Sequence, residues 1–317
     1  MTQTAPFFND LARGPDGGAA HWVTASGGVR LRMAHWPHAG AKGTMLLFNG
    51  RTEYIEKYGI TARELAEIGL ATATLDWRGQ GLSDRALDDR LVGHVGQFSD
   101  FQKDVAAFLD YATRMNLPKP WYILGHSMGG CIALRTVLNG APISGVLFTA
   151  PMWGIQMPGV LRTVAWTVTW TADKVALGHL LTPSTSRRPY TEAAPFLGNA
   201  LTTDRDMYAY MRSQTDAQPD LGLGGPSLNW LNQALRETLA LASIPSPDVP
   251  ALCFLGDLES IVDPQEIKRR MGAWPNGKLI EIENAQHEVL METPDIRRRA
   301  MSEIAAFVER TKENVDA

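Results

Sequence analysis

Short apolar runs alternate along the chain with longer segments in which apolar residues recur at helical spacing. The short runs predict strands and the longer segments predict helices. Their alternation is typical of an α/β fold, with a mostly parallel sheet and helices on both of its faces. The predicted strands cover 28–36, 44–48, 71–76, 121–125, 144–150, 250–255 and 278–283. The predicted helices cover 54–68, 99–115, 127–139, 264–273 and 293–312.

The alternation is interrupted between residues 153 and 245, where helical spacing continues without a convincing strand. At about 90 residues, this segment is far longer than an ordinary connection between elements of such a sheet. We therefore predict a helical cap (lid) at 153–245, inserted after the sixth strand of the fold, and a core made of 1–152 and 246–317. The alternative is a larger helical layer of the same core. Four of the nine tryptophans lie in the segment: Trp153, Trp166, Trp170 and Trp230.

A Gly-x-Ser-x-Gly sequence at 125–129 joins a predicted strand to a predicted helix. In this context it is typical of the nucleophile elbow of α/β-hydrolases, in which the hydroxyl of Ser127 projects from the edge of the sheet. Side chains at 125 and 129 would collide in so sharp a turn, and glycine occupies both positions. The helix that follows directs its free N–H groups at the place where negative charge develops during acyl transfer. Ser127 is therefore the predicted nucleophile.

A serine nucleophile needs a base, and in this fold the chain order is serine, acid, histidine. His287 follows the last predicted strand on a short loop, from which a histidine reaches the edge of the sheet. We predict that His287 is the base. The other six histidines are excluded by position, since they precede the elbow, lie in the cap or, for His126, flank Ser127 and point elsewhere: His21, His35, His38, His94, His126 and His179.

Three carboxylates follow the predicted strand 250–255 and compete for the role of the acid. Glu259 lies where the chain turns toward the histidine. Asp263 precedes Pro264 and suits a helix N-cap, and Asp257 suits a turn. We predict Glu259 as the acid and keep Asp263 as its rival.

The oxyanion of acyl transfer needs two N–H donors. Met128, immediately after the nucleophile, supplies one. Arg51 supplies the other through its main chain, because Gly50 lets the loop after strand 44–48 turn that N–H inward. A second glycine-rich loop, Asp76 to Ser83, matches no phosphate-binding loop with a lysine and is interpreted as a structural turn.

Composition narrows the function classes. The net charge of −4 and the lack of a basic run give no sign of nucleic-acid binding. The sequence has no stretch of 18 apolar residues, so no membrane span is expected. Residues 1–18 lack the basic and apolar parts of a signal peptide. A cytoplasmic protein is expected, with membrane contact only at its surface. Cys131 and Cys253 lie in apolar runs and are predicted to be buried reduced thiols, neither a disulfide nor a metal pair.

Together these motifs resemble the α/β-hydrolase group that contains bacterial lysophospholipases and monoacylglycerol lipases. Its His-Gly-x-x-Glu-His loop corresponds to residues 49–54, its Asp-x-Arg-Gly-x-Gly-x-Ser segment to 76–83 and its Gly-His-Ser-Met-Gly-Gly elbow to 125–130. Its Gly-x-x-Asp acid loop corresponds to 256–259, and its terminal histidine to His287. The resemblance spans roughly residues 25–315.

The chain departs from this group at two positions. Asn49 stands in place of the first loop histidine, so an amide replaces the imidazole there. Glu259 stands where most relatives have aspartate. Glutamate has the same charge on a longer arm and serves in other triads of this fold.

The resemblance implies hydrolysis of an ester with one fatty acyl chain and a glycerol-based head, without cofactor or metal. We expect the cap to shelter the acyl chain and to contact a membrane surface. Glu53 and Lys57, an i, i+4 pair, are expected either to face the polar head or to form an ordinary surface salt bridge. Two other functions remain open: a carboxylesterase or thioesterase acting on soluble acyl compounds, and a non-catalytic hydrolase fold that binds a ligand. The predicted substrate-binding residues are Glu53, Lys57, Trp153, Trp166 and Trp170.

Overall fold

A computed structural model describes residues 3–316, with side chains as far as 312. Its frame is a sheet of nine strands. Residues 1, 2 and 317, which the predicted core segments include, lie outside the described residues. The strands are β1 (Gln3–Thr4), β2 (Ala19–Thr24), β3 (Arg30–Trp36), β4 (Thr44–Phe48), β5 (Ala71–Asp76), β6 (Trp121–His126), β7 (Gly145–Thr149), β8 (Ala251–Gly256) and β9 (Gly277–Ile282).

Helices connect most of these strands and cover the sheet. Short 3-10 turns occur at Ile55–Tyr58, Pro219–Leu221 and Val289–Met291. The α-helices are α1 (Asn9–Ala12), α2 (Gly59–Glu67), α3 (Asp100–Arg114), α4 (Met128–Leu138), α5 (Gly159–Lys174), α6 (Tyr190–Ala193), α7 (Arg205–Ala217), α8 (Leu228–Ala242), α9 (Pro264–Gly272) and α10 (Pro294–Asp316).

The strands lie in the order β1-β2-β3-β5-β4-β6-β7-β8-β9. The pairs β1–β2, β2–β3 and β3–β5 are antiparallel, and every later pair is parallel. The carboxyl ends of parallel strands lie at one edge of a sheet, which is where open α/β sheets bind ligands. The loops after β4, β6, β8 and β9 therefore meet at this edge.

Buried side chains alternate between the two faces of the sheet, as the pleat requires. Leu46 and Phe48 of β4 pack with α3 and α4 in one core cluster. Met45 and Leu47 of the same strand pack with α2 and α10 in another. Because both faces are covered, the central strands are mostly apolar, and β4, β6 and β8 are buried throughout.

Every strand and helix predicted from the sequence is present, with bounds that differ by at most a few residues. Two strands were missed, β1 and β2, which extend the sheet at its antiparallel end. The predicted helix 54–68 is a 3-10 turn followed by α2. The short strand β2 alternates only partly between buried and partly exposed residues, and so lacks the continuous apolar run of the central strands.

The segment predicted as the cap follows the seventh strand, β7, rather than the sixth, because the count of strands before it was wrong. It lies between β7 and β8 and contains α5, α6, α7 and α8. Met207 and Met211 of α7 and Trp230 of α8 belong to the core clusters of the sheet. By contrast, α5 presents an exposed apolar surface, formed by Val160, Leu161, Val164 and Val168. We call these four residues the outer face of α5. The division into a core and a cap stays a prediction.

The glycine-rich loop after β5 has the structural role expected from its sequence. Asp76 accepts hydrogen bonds from the N–H groups of Ile55 and Leu82, at 2.9 and 2.8 Å. Its carboxylate also pairs with Arg32 at 2.7 Å, and Arg32 pairs with Glu56 at the same distance. All three ionised side chains are fully buried. The loop therefore joins β3, β5 and the 3-10 turn at 55–58 through buried charges.

Candidate active site

Ser127 lies at the turn between β6 and α4 in a strained backbone conformation, with φ 49° and ψ −118°. A non-glycine residue adopts a positive φ only where the surrounding structure enforces it. The crowding behind the serine is severe, since a Cβ atom at Gly129 would lie 1.9 Å from the carbonyl oxygen of Phe48. A Cβ atom at Gly125 would lie 2.8 Å from the carbonyl oxygen of Gly129. Glycine at 125 and 129 therefore permits the turn that exposes Ser127.

The histidine and the predicted acid are directly hydrogen-bonded. Nδ1 of His287, on the loop after β9, lies 2.7 Å from Oε2 of Glu259, on the loop after β8. The other carboxylate oxygen of Glu259 accepts the N–H groups of Ile261 and Val262, at 2.6 and 3.0 Å. Both side chains are almost completely buried. A carboxylate bonded to Nδ1–H leaves Nε2 as the nitrogen that can accept a proton.

The surroundings of Glu259 favour its ionised form. Burial by itself would raise the pKa of this carboxyl, but His287 and the N–H groups of Ile261 and Val262 together hold the pKa below its ordinary value. Three hydrogen bonds donated to a buried carboxylate stabilise its charged form relative to its protonated form. Glu259 is therefore suited to orient an imidazole and to stabilise its charged form.

The rival acid has a different position. Oδ1 of Asp263 accepts the N–H of Gln265 at 3.0 Å, so Asp263 is the N-cap of α9. Its other oxygen lies 3.4 Å from the guanidinium of Arg162. Asp257 is exposed in the turn after β8. Of the three competing carboxylates, only Glu259 contacts His287.

Ser127 and His287 both line one cavity of about 410 Å³ at the carboxyl edge of the sheet. Within the described residues, no hydrogen bond of 3.5 Å or less joins the Ser127 hydroxyl to His287. Catalytic hydrogen bonds are often long in enzymes without substrate and shorten when it binds. The elbow and the His287–Glu259 pair thus open onto the same enclosed space.

The loop after β4 carries the predicted second oxyanion donor and is fixed from both sides. Gln80 donates to the carbonyl of Gly50 at 2.9 Å and accepts the N–H of Thr52 at 3.0 Å. The N–H of Gly50 donates to the carboxylate of Glu53. Arg51, between these anchored residues, lines the cavity. Met128 is the first residue of α4, and first-turn N–H groups have no partner inside their helix.

Asn49, which replaces the family's first loop histidine, is completely buried. Its amide donates to the carbonyl of Leu75 at 2.6 Å. The main-chain carbonyl oxygen of Asn49 accepts the indole N–H of Trp77 at 2.9 Å. The amide therefore attaches the start of this loop to β5.

Glu53 and Lys57 are buried rather than on the surface, so the interpretation as a surface salt bridge is wrong. The ammonium of Lys57 contacts the carboxylate of Glu53 and lies 2.6 Å from that of Glu288. Nε2 of His126 lies 3.3 Å from Glu288 and 3.6 Å from Glu53. All four side chains line the cavity. We call Glu53, Lys57, His126 and Glu288 the charged cluster.

The prediction that His126 points away from the site is wrong, because its side chain lines the cavity. Its ring centroid lies 4.8 Å from that of His287, and its Nδ1 lies 3.1 Å from the carbonyl oxygen of Thr149. Burial opposes protonation of His126, but the carboxylates of Glu288 and Glu53 outweigh it and raise the pKa of the imidazole. The pKa of Glu288 is lowered well below its ordinary value, because His126 and Lys57 outweigh its burial. The charged cluster therefore places the Lys57 ammonium and an imidazole of raised pKa beside two carboxylates.

Three ligand atoms of this cluster, from Glu53, His126 and Glu288, lie within 4.8 Å of one another, a spacing that suits a metal ion. Lys57 contacts both carboxylates and so supplies a positive charge at this position. The residues present fit an internal ammonium better than a metal cation, because a metal would lie against that charge.

The three predicted substrate-binding tryptophans do not line the cavity. Trp153 is buried in the core, with its ring 4.8 Å from that of Phe148 and 6.2 Å from that of Trp274. Trp166 and Trp170 lie on α5, where Trp170 is half exposed. The tryptophan that does line the cavity is Trp230 of α8. Trp230, His126 and Glu288 were not predicted as residues of the site, because a single residue on a helix or beside a motif has no periodic signal.

Both cysteines are buried and free, as predicted. No helix in the described part of the chain combines the length and apolarity needed to cross a membrane.

The strained serine between strand and helix, the mostly parallel sheet and the histidine on the last strand's loop define an α/β-hydrolase. The family model described as "Serine aminopeptidase, S33" matches residues 39–294. Because this match covers most of the chain, the protein belongs to that family of α/β-hydrolases. The fold predicted from the sequence is confirmed.

Individual relatives agree with the resemblance drawn from the motifs. "Lysophospholipase L2" of Escherichia coli strain K12 is 30% identical over 297 residues, which cover 89% of this chain and 83% of the relative. Human "Monoglyceride lipase" is 25% identical over 292 residues, or 91% and 89% of the two chains. The solved structure of a soluble variant of monoglyceride lipase from Saccharomyces cerevisiae has a TM-score of 0.72 at 18% identity, covering 92% and 94%. That structure supports the fold alone.

Proposed function

We propose that the enzyme is a serine hydrolase that cleaves carboxylic esters of single-chain lipids, either lysophospholipids or monoacylglycerols. The observation that carries this proposal is the 2.7 Å hydrogen bond between Glu259 and His287 beside a strained serine that opens onto the same cavity. The names of relatives that span most of the chain support the lipid class.

In the proposed reaction, Nε2 of His287 takes the hydroxyl proton of Ser127 as the serine oxygen bonds to the ester carbonyl carbon. The main-chain N–H groups of Arg51 and Met128 stabilise the resulting oxyanion. When the tetrahedral intermediate collapses, the carbon–oxygen bond to the alcohol breaks and His287 protonates the leaving oxygen. Water then attacks the acyl-enzyme while His287 takes a proton from it. When the bond from the acyl carbon to the serine oxygen breaks, His287 returns this proton to Ser127 and the fatty acid is released.

Glu259 fixes the imidazole tautomer and stabilises the imidazolium that forms in both steps. Its buried, three-donor environment supports this role, because the carboxylate remains ionised while His287 gains and loses a proton. No metal or cofactor takes part in the proposed reaction.

The chemistry of the cavity wall supports a substrate with one apolar and one polar part. The charged cluster forms one polar region, in which Glu53 and Lys57 are proposed to contact the head group. Apolar residues from the chain after β7, the predicted cap and the loop after β8 form much of the remaining wall and are proposed to contact the acyl chain: Met152, Ile155, Trp230, Leu231, Ile261 and Val262. Small-molecule sites commonly combine a largely apolar wall with a few placed polar groups.

The test is a substrate panel with the wild-type enzyme and Ser127→Ala. The panel contains a lysophospholipid, a monoacylglycerol, a short p-nitrophenyl ester, an acyl thioester and an amino-acid p-nitroanilide. We expect lipid esters to be preferred and Ser127→Ala to lose turnover by a factor on the order of 10⁶. Ser260→Ala, the same change at a neighbouring exposed residue, is the control.

Other activities make different predictions in the same panel. A preference for the short ester or the thioester would favour the carboxylesterase or thioesterase alternative, and cleavage of the anilide would favour the peptidase activity that the family description names. Absence of labelling by a fluorophosphonate probe would favour a non-catalytic binding protein, since only an activated serine reacts.

We also propose that the outer face of α5 contacts a lipid surface. Apart from Leu239 and Leu258, the large hydrophobic side chains exposed in the described residues all lie between 160 and 197. Val160 and Leu161 alone are 79% and 56% exposed. An apolar patch of this kind on a soluble fold marks an interaction site, and a substrate held in a lipid surface makes that surface the fitting partner.

Sedimentation with phospholipid vesicles tests this contact. The double variant Leu161→Ser, Val164→Ser should weaken vesicle binding by about tenfold or more, because it removes two apolar side chains whose transfer from water to lipid favours binding. Leu239→Ser, which changes an equally exposed leucine on α8, is the matched control. Unchanged binding of the double variant would contradict the proposed contact.

A further inference from the structure

Arg51 has a cationic side chain in the cavity that no carboxylate of the described residues neutralises. Its recorded polar contact is a hydrogen bond from Nη1 to the carbonyl oxygen of Gly224, at 2.9 Å. Its guanidinium carbon lies 5.5 Å from the ring centroid of Trp230, which also lines the cavity. A guanidinium has five N–H donors, so most of its donor capacity is unused by these contacts.

The contrast with Arg32 shows how unusual this is. Arg32 is buried between Asp76 and Glu56, and these carboxylates outweigh its burial and raise its pKa. Burial acts on Arg51 without such compensation and lowers its pKa to about 10. The group is still charged at neutral pH. The structure therefore keeps a partly buried positive charge, without a carboxylate partner among the described residues, at the wall of the candidate active site.

The other charges of the cavity do not offset Arg51. In the charged cluster, the carboxylates of Glu53 and Glu288 contact Lys57 and His126. Glu259 is bonded to His287. Each of these three carboxylates thus has a partner of its own, and none contacts the guanidinium of Arg51, which is complementary to a negatively charged ligand.

The surroundings of the Arg51 guanidinium leave room beside it and fix the backbone from which its side chain extends. A Cβ atom at Gly93 would lie 3.1 Å from Nη1 of Arg51, so glycine at 93 leaves room beside the cation. Gln80 and Glu53 hold the backbone of this loop, which fixes where the side chain begins. A planar, preorganised guanidinium in a confined site is the side chain that best matches the two oxygens of a phosphate group.

We propose that the side chain of Arg51 binds the phosphodiester of a lysophospholipid and selects this substrate over an uncharged monoacylglycerol. The inference rests on the proposed function and narrows it to one of two substrate classes. The main-chain N–H of Arg51 is the proposed donor to the ester oxyanion, so its side chain starts at the reacting carbonyl. One residue then contacts both the ester group and the phosphate of the same molecule, which fixes the ester relative to Ser127.

The experiment compares 1-oleoyl lysophosphatidylglycerol with 1-monooleoylglycerol in the same neutral detergent micelles. The quantity measured is the ratio of kcat/KM for the phosphate-containing substrate to that for the uncharged one. Arg51→Met removes the charge but keeps the main-chain N–H, and Arg51→Lys keeps a charge without the planar fork. Arg212→Met removes an arginine from the exposed surface of α7, where it pairs with Asp216, and is the control.

For Arg51→Met we expect the ratio to fall by about 10- to 100-fold, the range for losing hydrogen bonds to a charged group. The loss should lie mainly in KM for the phosphate-containing substrate, because a phosphate away from the reacting bond is held equally in ground and transition states. Arg51→Lys should lose part of the preference, and Arg212→Met should retain it.

An unchanged ratio in Arg51→Met, with both substrates cleaved by the wild type, would overturn this inference and leave the proposed function standing. Equal losses on both substrates with a lower melting temperature would also overturn it, because they would make Arg51 only a structural tie to Gly224. If Arg51→Met does not fold, Arg51→Lys decides by the same ratio. A wild type that cleaves neither lipid would overturn the proposed function itself.

Discussion

Replacing Glu259 with glutamine separates the role of an orienting acid from that of a structural carboxylate. The glutamine side chain has the same shape, and its carbonyl oxygen can still accept the N–H groups of Ile261 and Val262. Its NH₂ group then faces Nδ1 of His287, which is 2.7 Å from Oε2 in the wild type. A donor at this position forces the hydrogen of the imidazole onto Nε2, so that His287 can no longer take the proton of Ser127.

The expected loss follows from this geometry. A wrong tautomer in a serine triad costs on the order of 10⁴ in kcat. The cost in stability is smaller, about 1–3 kcal/mol, because one buried charge-assisted hydrogen bond is lost while the shape is kept. Glu259→Gln should therefore be folded but nearly inactive.

Asp263→Asn and Asp257→Asn provide two matched controls, since each removes one carboxylate from the same region. Asparagine is as good an N-cap as aspartate, so Asp263→Asn should keep both activity and most of its stability. Asp257 is exposed, and Asp257→Asn should resemble the wild type. The assay is turnover of a p-nitrophenyl ester, with thermal melting followed by circular dichroism. Near-normal turnover of Glu259→Gln combined with inactivity of Asp263→Asn would refute the reasoning and transfer the acid role to Asp263.

Two further predictions concern stability. Arg32→Met leaves Asp76 and Glu56 as buried carboxylates without their cation and should lower the free energy of unfolding by about 3–5 kcal/mol, measured by urea titration. Arg30→Met, at an exposed ion pair, is the control and should cost less than about 1 kcal/mol in the same titration. Equal effects of the two changes would contradict the buried-charge argument. Burial and then the neighbouring His21 lower the pKa of His35 from 6.5 to about 4. The folded state therefore binds this proton less readily than the unfolded chain, so the stability contributed by neutral His35 is complete above pH 6.5 and declines as the pH falls toward 4. His35→Phe should show a smaller drop in urea midpoint between pH 7.5 and 5 than the wild type, and an identical drop would exclude His35 as the titrating group.

Much of the fold was predictable because the central strands are mostly apolar and the helices have apolar residues at helical spacing. The sequence pattern located β4 and β5 to the residue. It missed β1 and β2, because a strand of two residues and a half-exposed strand beside it have no such signal. Topology helped with the site, since Ser127, Glu259 and His287 all follow parallel strands, whose carboxyl ends must meet.

The charged cluster could not be predicted in the same way. Glu288 is simply the residue after His287, and His126 the residue before Ser127. Neither position has a spacing that reveals whether its side chain enters the cavity. Their roles depend on long-range contacts, such as that between Lys57 and Glu288. Trp230 was recognised only as part of a helical segment, because facing a cavity and facing a core require the same apolar surface.

The order of Ser127, Glu259 and His287 along the chain has a consequence for biosynthesis. Chains are made from the N-terminus, and the elbow with Ser127 is complete long before β9 and its loop emerge. The proposed acid and base are both made after the elbow, and within the described residues β9 pairs with β8 alone. A partly synthesised chain therefore carries a serine that cannot yet be deprotonated. If the proposed triad operates, hydrolytic activity begins only after β9 and its loop have been made and have folded against β8, so that a chain still without them does not attack lipids.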